Sequence, residues 1–299
     1  MQIKTLVLLV AFSWNALAWG PIGHRAIGLI ADANLSPTAK TGIAQLLNRQ
    51  TLADVANWAD VVKVGPYYSA TKWYHFDSVP DRVTYLQSLA AMTPEQKALG
   101  GLVEVILASK DIIKASNRTL SEKSDAIKFI THFIGDLHQP LHTGRPEDRG
   151  GNDIPVNWFG SKMNLHSVWD SGIILTGHKD IIKPQMSLEQ ASIAYAQYLV
   201  KAYTTSRFVY QSTDTETWMN ESISLRAQAY DQLYNKDQNR YLALNTPQVD
   251  SRVLMAGLRL ADTINQIFAG LPIPPKETLF KQQIEKIVGS LTKLINLRP

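Results

Sequence analysis

Cysteine is absent from all 299 residues. Disulfides and thiolate metal ligands are therefore excluded. Any metal site must draw on histidine, aspartate, glutamate or a backbone group, a donor set that suits zinc or a similar borderline ion. Long apolar runs are also missing. LVLLVAF, at residues 6–12, is too short to cross a bilayer. With Lys4 before it and Ala16-Leu17-Ala18 after it, the run reads as a signal peptide over residues 1–18, cleaved between Ala18 and Trp19. The expectation is a secreted or periplasmic chain that starts at Trp19, which suits the lack of cysteine. No later segment reads as transmembrane, so no stable membrane insertion is expected.

An overall positive field is lacking too. The formal net charge is +4, but residues 19–270 hold 24 basic and 24 acidic side chains. The excess sits in residues 271–299, where Lys276, Lys281, Lys286, Lys293 and Arg298 outnumber Glu277 and Glu285. The positive balance is thus a property of this tail and no evidence for a globally basic nucleic-acid binder. LPIPP reads as a stiff linker, followed by an amphipathic basic extension with Leu279, Phe280, Ile284, Ile287, Val288 and Leu291 on one face. That extension reads as a helix packed on its own domain, with membrane-surface contact or self-association as the other readings.

What is present is helical patterning. The 45 % hydrophobic composition supports a sizeable core. Residues 24–34 carry apolar positions at helical spacing. Ser36-Pro37 reads as a cap and first-turn proline for a helix to about Arg49. Thr51 opens TLADVANWADVVK. Residues 66–80 read as aromatic and extended. A helix follows Thr93-Pro94 to about Ala115, with Gly100-Gly101 as a weak point. Ser121 or Ser124 opens the next, which stops near Pro140. A β-hairpin near 150–160 follows, then a short helix and three more near 187–205, 214–235 and 247–269. The predicted class is all-α: one domain over 19–270 with a short hairpin.

Histidine is scarce, seven in the chain, yet four lie between residues 132 and 170. His132–Asp136 and His166–Asp170 each place an imidazole four residues before a carboxylate, on one helix face. A single such pair reads as a surface ion pair. Two pairs with His142 between them point to a metal site. Further candidates lie upstream. A free Trp19 amine and its carbonyl can chelate a metal, and His24 is close by. Asp60 and His75 taken singly read as a helix-surface acid and a core imidazole.

Taken together, the pieces WGPIGH, WAD, HF, HFIGDLHQPLH, GGND and NLHSVWD resemble the zinc-dependent, single-strand-specific type I nucleases, the S1/P1 family, over roughly Trp19 to Gly270. The resemblance implies three zinc ions. Asp60, His75, His132 and Asp136 are implied for the first, and His142, His166 and Asp170 for the second. Trp19, His24 and Asp136 are implied for the third. It also implies endonucleolytic hydrolysis of single-stranded DNA and RNA to 5′-phosphorylated products, with 3′-nucleotidase activity on nucleotides. Asp60 would orient the attacking water and Lys63 would stabilise the pentacovalent state. Phe76 would stack on a base, Asp77 or Asp81 would bind its edge, and Asn152 would contact phosphate or ribose. His138 and His178 are left without a metal. A monomer is expected. Two other readings stand beside this one: a phospholipase C-like zinc phosphodiesterase, which is expected to carry glutamate at the Asp170 position, and a periplasmic zinc-binding protein.

Overall fold

The computed structural model describes residues 19–203 and 214–270. The expected signal peptide and the amphipathic extension lie outside the described residues. The first half comprises α1 (Pro21–Asn34), α2 (Pro37–Leu46), α3 (Leu52–Val55), α4 (Trp58–Val62), a 3-10 turn (Ser69–His75), α5 (Tyr85–Ala91), α6 (Pro94–Ala98), α7 (Leu102–Lys114) and α8 (Leu120–Leu137). Two further 3-10 turns (Pro140–Thr143, Pro146–Asp148) lead to β1 (Pro155–Trp158) and β2 (Ser161–Asn164). Then come α9 (Leu165–Ser167), a π-turn (Val168–Gly172), α10 (Ile173–Gly177), α11 (Leu188–Ala202), α12 (Thr215–Ala229), α13 (Leu233–Lys236) and α14 (Gln238–Ala269). The class is all-α, with one antiparallel hairpin in which Val156 faces Met163.

Local chemistry explains most helix starts. Ser36 Oγ accepts from Ala39 N at 3.2 Å. Thr51 and Asp54 cap each other's backbone N–H groups. The start of α8 corrects the expectation of Ser121 or Ser124. Thr119 is the cap, because Glu122 returns a bond to Thr119 N at 2.8 Å and completes a capping box.

Several expected helices are broken. The 93–115 segment splits into α6 and α7 at Gly100, whose φ of +71° is closed to a continuing helix. TLADVANWADVVK splits into α3 and α4 around Ala56-Asn57, and 214–235 splits into α12 and α13. Residues 66–80 are extended only after His75. Before it the chain is wound into a 3-10 turn, with Thr71 N bonded to Tyr68 O at 2.8 Å and Tyr68 packed on Trp58 and Phe129. The last helix starts at Gln238, nine residues ahead of the expected 247. Pro247 is tolerated inside it because Pro247 and Ala243 are both exposed, so the carbonyl deprived of its partner faces water.

The core forms where α14 lies along α1 and α2, and where α7 packs on α8. Every residue of α8 from Ile130 to Leu137 is buried. A helix buried all round normally carries only apolar groups. Here it carries His132 and Asp136 into the interior. Among the described residues no helix is long and apolar enough to cross a membrane.

Candidate metal centre

Three groups of buried donors converge at this end of α8. They are His24, His132 and Asp136; Asp60, His75 and His132; and His142, His166 and Asp170. Within each group the nitrogen and oxygen atoms lie within 4.8 Å of one another. Asp136 stands between the first two: Oδ1 is 3.2 Å from His24 Nε2, and Oδ2 is 3.1 Å from His75 Nδ1 and 3.4 Å from His132 Nε2. His24 and His132 stack with ring centroids 3.9 Å apart.

The surrounding backbone aims three of the rings. His132 Nδ1 meets Ala56 O at 2.7 Å, and His166 Nδ1 meets Gly150 O at 2.7 Å. His142 Nδ1 meets His75 O at 2.5 Å. A carbonyl only accepts, so each Nδ1 carries the proton and each Nε2 presents a lone pair. The breaks in the fold supply these carbonyls. Ala56 O is freed where α3 stops. Gly150 O is turned inward by consecutive left-handed residues, Arg149, Gly150 and Gly151, with φ of +52°, +64° and +80°. Glycine takes up the last two of these without strain, which is the physical content of the Gly-Gly pair.

The donor set fits metal ions. His142 Nε2 and His166 Nε2 face each other at 3.2 Å, and Asp170 carboxylate oxygens lie 3.8 and 3.5 Å away. Two lone pairs at that distance repel unless a proton or a metal ion lies between them. His24 Nε2, Asp60 Oδ2, His75 Nε2, Asp136 Oδ1 and Asp170 Oδ2 are buried with no hydrogen-bond partner. Such atoms are costly unless something else binds them.

Without metal, the charges compensate one another. Burial alone would lower the His142 pKa, but the Asp136 and Asp170 carboxylates outweigh it and hold it up at about 9. Burial drives His75 down to about 4. Burial would raise Asp136, yet His132 and His142 beside it hold it well below the usual carboxylate range.

The N-terminal segment is wedged against these groups. Trp19 is fully buried, and its indole Nε1 donates to Gly135 O at 2.8 Å. Gly20 N donates to Asp170 O at 2.7 Å. Gly135 has no alternative: a Cβ there would fall 2.8 Å from His24 Nδ1.

Around the donors, Lys63 Nζ lies 2.6 Å from Asp60 Oδ1. Phe76 is partly exposed and lines a cavity of about 430 Å³ together with Asp77. Asp77 Oδ2 accepts from Val103 N at 3.0 Å, so this buried carboxylate caps α7. Burial first, and Glu104 beside it, push its pKa up to about 7. Asp81 is engaged elsewhere, by Arg145 at 3.0 Å and Arg226 at 3.2 Å. Asn152 Nδ2 donates to Arg149 O at 2.8 Å, and the residue borders a separate cavity of about 820 Å³ beneath the hairpin. His138 lies off the site, bonded to Ile134 O at 2.7 Å and to Arg259 at 3.0 Å. His178 also lies apart, 2.7 Å from Asp250.

Sequence reasoning missed Gln139 and Gly135. Gln139 Nε2 donates to Asp170 Oδ1 at 2.7 Å while its Oε1 accepts from Leu141 N at 2.6 Å, which orients Asp170. A buried-looking glutamine between two site histidines was the available signal. Gly135 carried none beyond its place inside a helix.

Fold and donor set define the class: a helical protein whose interior polar cluster is built to hold metal ions. Comparison then gives the family. The S1/P1 Nuclease family model matches residues 19–269, and the chain belongs to that family. It is similar to Endonuclease 2 of Arabidopsis thaliana, 30 % identical over 287 residues that cover 90 % of this chain and 96 % of the relative. Nuclease S1 of Aspergillus oryzae is 31 % identical over 173 residues, covering 55 % of this chain and 57 % of its own. Nuclease P1 of Penicillium citrinum is 31 % identical over 165 residues, covering 51 % and 57 %.

Proposed function

We propose that this chain is an exported zinc-dependent endonuclease that hydrolyses single-stranded DNA and RNA to 5′-phosphorylated products, with 3′-nucleotidase activity. The observation that carries the reading is the convergence of three buried donor groups around Asp136 within a chain of the S1/P1 nuclease family. Asp60, His75, His132 and Asp136 hold one zinc; His142, His166 and Asp170 hold a second; Trp19, through its amine and carbonyl, holds a third with His24 and Asp136. Zinc bound there supplies a nucleophilic water near neutral pH and Lewis-acid stabilisation of the phosphate.

The chain's own residues do the rest. Asp60, held low in pKa by His132, Lys63 and His75 against the opposing effect of burial, accepts a hydrogen bond that orients the attacking water. Lys63 places a positive charge beside it, where charge grows on the phosphate oxygens. Phe76 stacks on a base without regard to its identity, and only an unpaired base can reach it. Asp77 meets that base's edge, and Asn152 contacts phosphate or ribose. The enzyme acts as a monomer.

Export completes the site on this reading, because the Trp19 amine exists only after cleavage behind Ala18. The test compares a chain that begins at Trp19 with one carrying a single serine ahead of it. The extended chain is expected to lose about one zinc per molecule and most of its activity on single-stranded DNA. Equal zinc content and equal activity would sink the assignment of Trp19.

A further inference from the structure

The chain leaves the metal centre at Asp60 and returns to it at His75, where Asp60 Oδ1 and His75 Nδ1 are 3.7 Å apart. The excursion between them departs from the charge balance of the domain. Residues 61–76 read VVKVGPYYSATKWYHF, with two lysines and no aspartate or glutamate. Asp125 of α8, which does touch this segment, is engaged by Tyr68 Oη at 2.7 Å and by Lys128 Nζ at 3.0 Å.

The winding of the segment sorts its side chains. Tyr68 N bonds to Gly65 O and Thr71 N to Tyr68 O, so bonds three residues apart begin ahead of the 3-10 turn itself. In such winding residues three apart eclipse one another, with a rise of about 2 Å per residue. Tyr68, Thr71 and Tyr74 turn inward, Tyr68 onto Trp58 and Phe129, and Tyr74 onto Phe133. Tyr67, Ala70, Trp73 and Phe76 form a second stripe, and all four are exposed. Tyr67 is 94 % exposed, so its ring contributes almost nothing to the core. The Trp73 and Phe76 ring centroids are 6.2 Å apart, close to the roughly 6 Å that three residues of this winding give. On the same scale Tyr67 lies about 12 Å before Trp73. Lys72 Nζ stands 5.0 Å from the Trp73 ring centroid.

We propose that the stripe Tyr67–Ala70–Trp73, with Lys72 beside it, is a track that holds the flank of an unpaired nucleic-acid strand outside the metal centre. The inference rests on the reading of Phe76 as the stacking platform for a base. Exposed rings interleaved with lysine, and free of acids, suit a single strand: bases stack on the rings whatever their identity, and phosphates meet the ammonium group. A lipid surface also takes aromatic and basic side chains. The stripe, however, runs into Phe76 and the metal centre, which is where a strand being cut must lead. Tyr67 is its cleanest member, since Trp73 also borders the cavity beside Phe76 whereas Tyr67 does not.

Steady-state cleavage of a single-stranded octanucleotide and of a dinucleotide by the zinc-loaded chain tests the track. A dinucleotide held at Phe76 is too short to reach Tyr67, about 18 Å away along the stripe. Tyr67→Ala is expected to raise KM for the octanucleotide about tenfold, the scale of one lost base stack. Its kcat, and both constants for the dinucleotide, should stay unchanged. Tyr67→Phe keeps the ring and should match the parent chain. Lys72→Ala should flatten the log–log salt dependence of the octanucleotide KM by about 0.7. An octanucleotide KM unchanged in Tyr67→Ala overturns the track; if that variant instead loses binding to phosphatidylglycerol vesicles, the stripe serves a lipid surface. A KM raised equally for the dinucleotide also overturns it, because the loss then lies at the cavity beside Phe76. Phe76→Ala with unchanged dinucleotide cleavage refutes the stacking reading, and the track falls with it, whereas failure of the Tyr67→Ala result alone leaves that reading standing.

Discussion

Replacing Gly135 with alanine asks whether the close approach of α8 to the N-terminal segment is what sets the site. The new methyl would sit 2.8 Å from His24 Nδ1, 2.9 Å from His24 Cε1 and 3.2 Å from Ile27 Cδ1. Relief to an ordinary contact requires His24 to retreat by about 0.6 Å, slightly more than the roughly 0.5 Å that a metal or catalytic constellation tolerates. Stability responds weakly, because two effects oppose each other. Alanine gains about 1 kcal/mol of helix propensity over glycine, while overpacking costs about 1–3 kcal/mol. A net loss near 1 kcal/mol corresponds to a drop in Tm of about 2–4 °C for a chain of this size. The site responds strongly, since His24 draws away from Asp136 and the Trp19 indole shifts with the Gly135 carbonyl that holds it. The chain beginning at Trp19 with Gly135→Ala should retain its fold by circular dichroism, lose about one zinc by elemental analysis and fall about 100-fold in kcat on single-stranded DNA. Full zinc content with activity within about twofold of the parent would refute the reasoning, because it would mean that His24 needs no such proximity.

Two further outcomes follow from the buried charges. His142 holds its proton up to about 9 between Asp136 and Asp170, above the unfolded value of 6.5, so its contribution to stability in the metal-free chain is complete below pH 6.5 and is lost as pH rises through 9. Zinc must displace that proton, so zinc affinity should rise with pH across this window with net proton release, measurable by calorimetry in buffers of different ionisation heat; a pH-independent affinity argues against His142 as a ligand. Asp250 is fully buried and accepts from His178 at 2.7 Å, Tyr195 at 2.8 Å and Tyr203 at 3.4 Å. Asp250→Ala should destabilise by about 3 kcal/mol, since donors left unpaired in the interior bear their full desolvation cost, and a thermal melt unchanged within about 2 °C would contradict that account.

Much of this protein could be read without its structure, because the relevant chemistry is local. Ser36-Pro37 and Thr51 open helices through bonds that span three residues. The spacing of His132 and Asp136 puts them on one face of whatever helix carries them. The donor inventory follows from the absence of cysteine and the crowding of histidine, and the six motif pieces matched a family in combination. Legibility failed where two local signals competed and where neighbours distant in sequence decide the outcome. Thr119 displaced Ser121 and Ser124 because its capping box with Glu122 outcompetes a lone serine. The aromatic stretch before His75 wound up because Tyr68 had Trp58 and Phe129 to pack against.

The division is sharpest at the metal centre. The sequence by itself determined which groups are available as ligands and that His132 pairs with Asp136, since both depend only on residue type and helical period. Tertiary structure decided the sharing of Asp136, whose two oxygens turn to different histidines. It also decided which nitrogen each imidazole presents, through the carbonyls of Ala56, His75 and Gly150. Those carbonyls are free only because a helix stops, a 3-10 turn ends and a left-handed turn reverses the chain. Where a backbone group is left unbonded depends on how the elements pack, which no local spacing encodes.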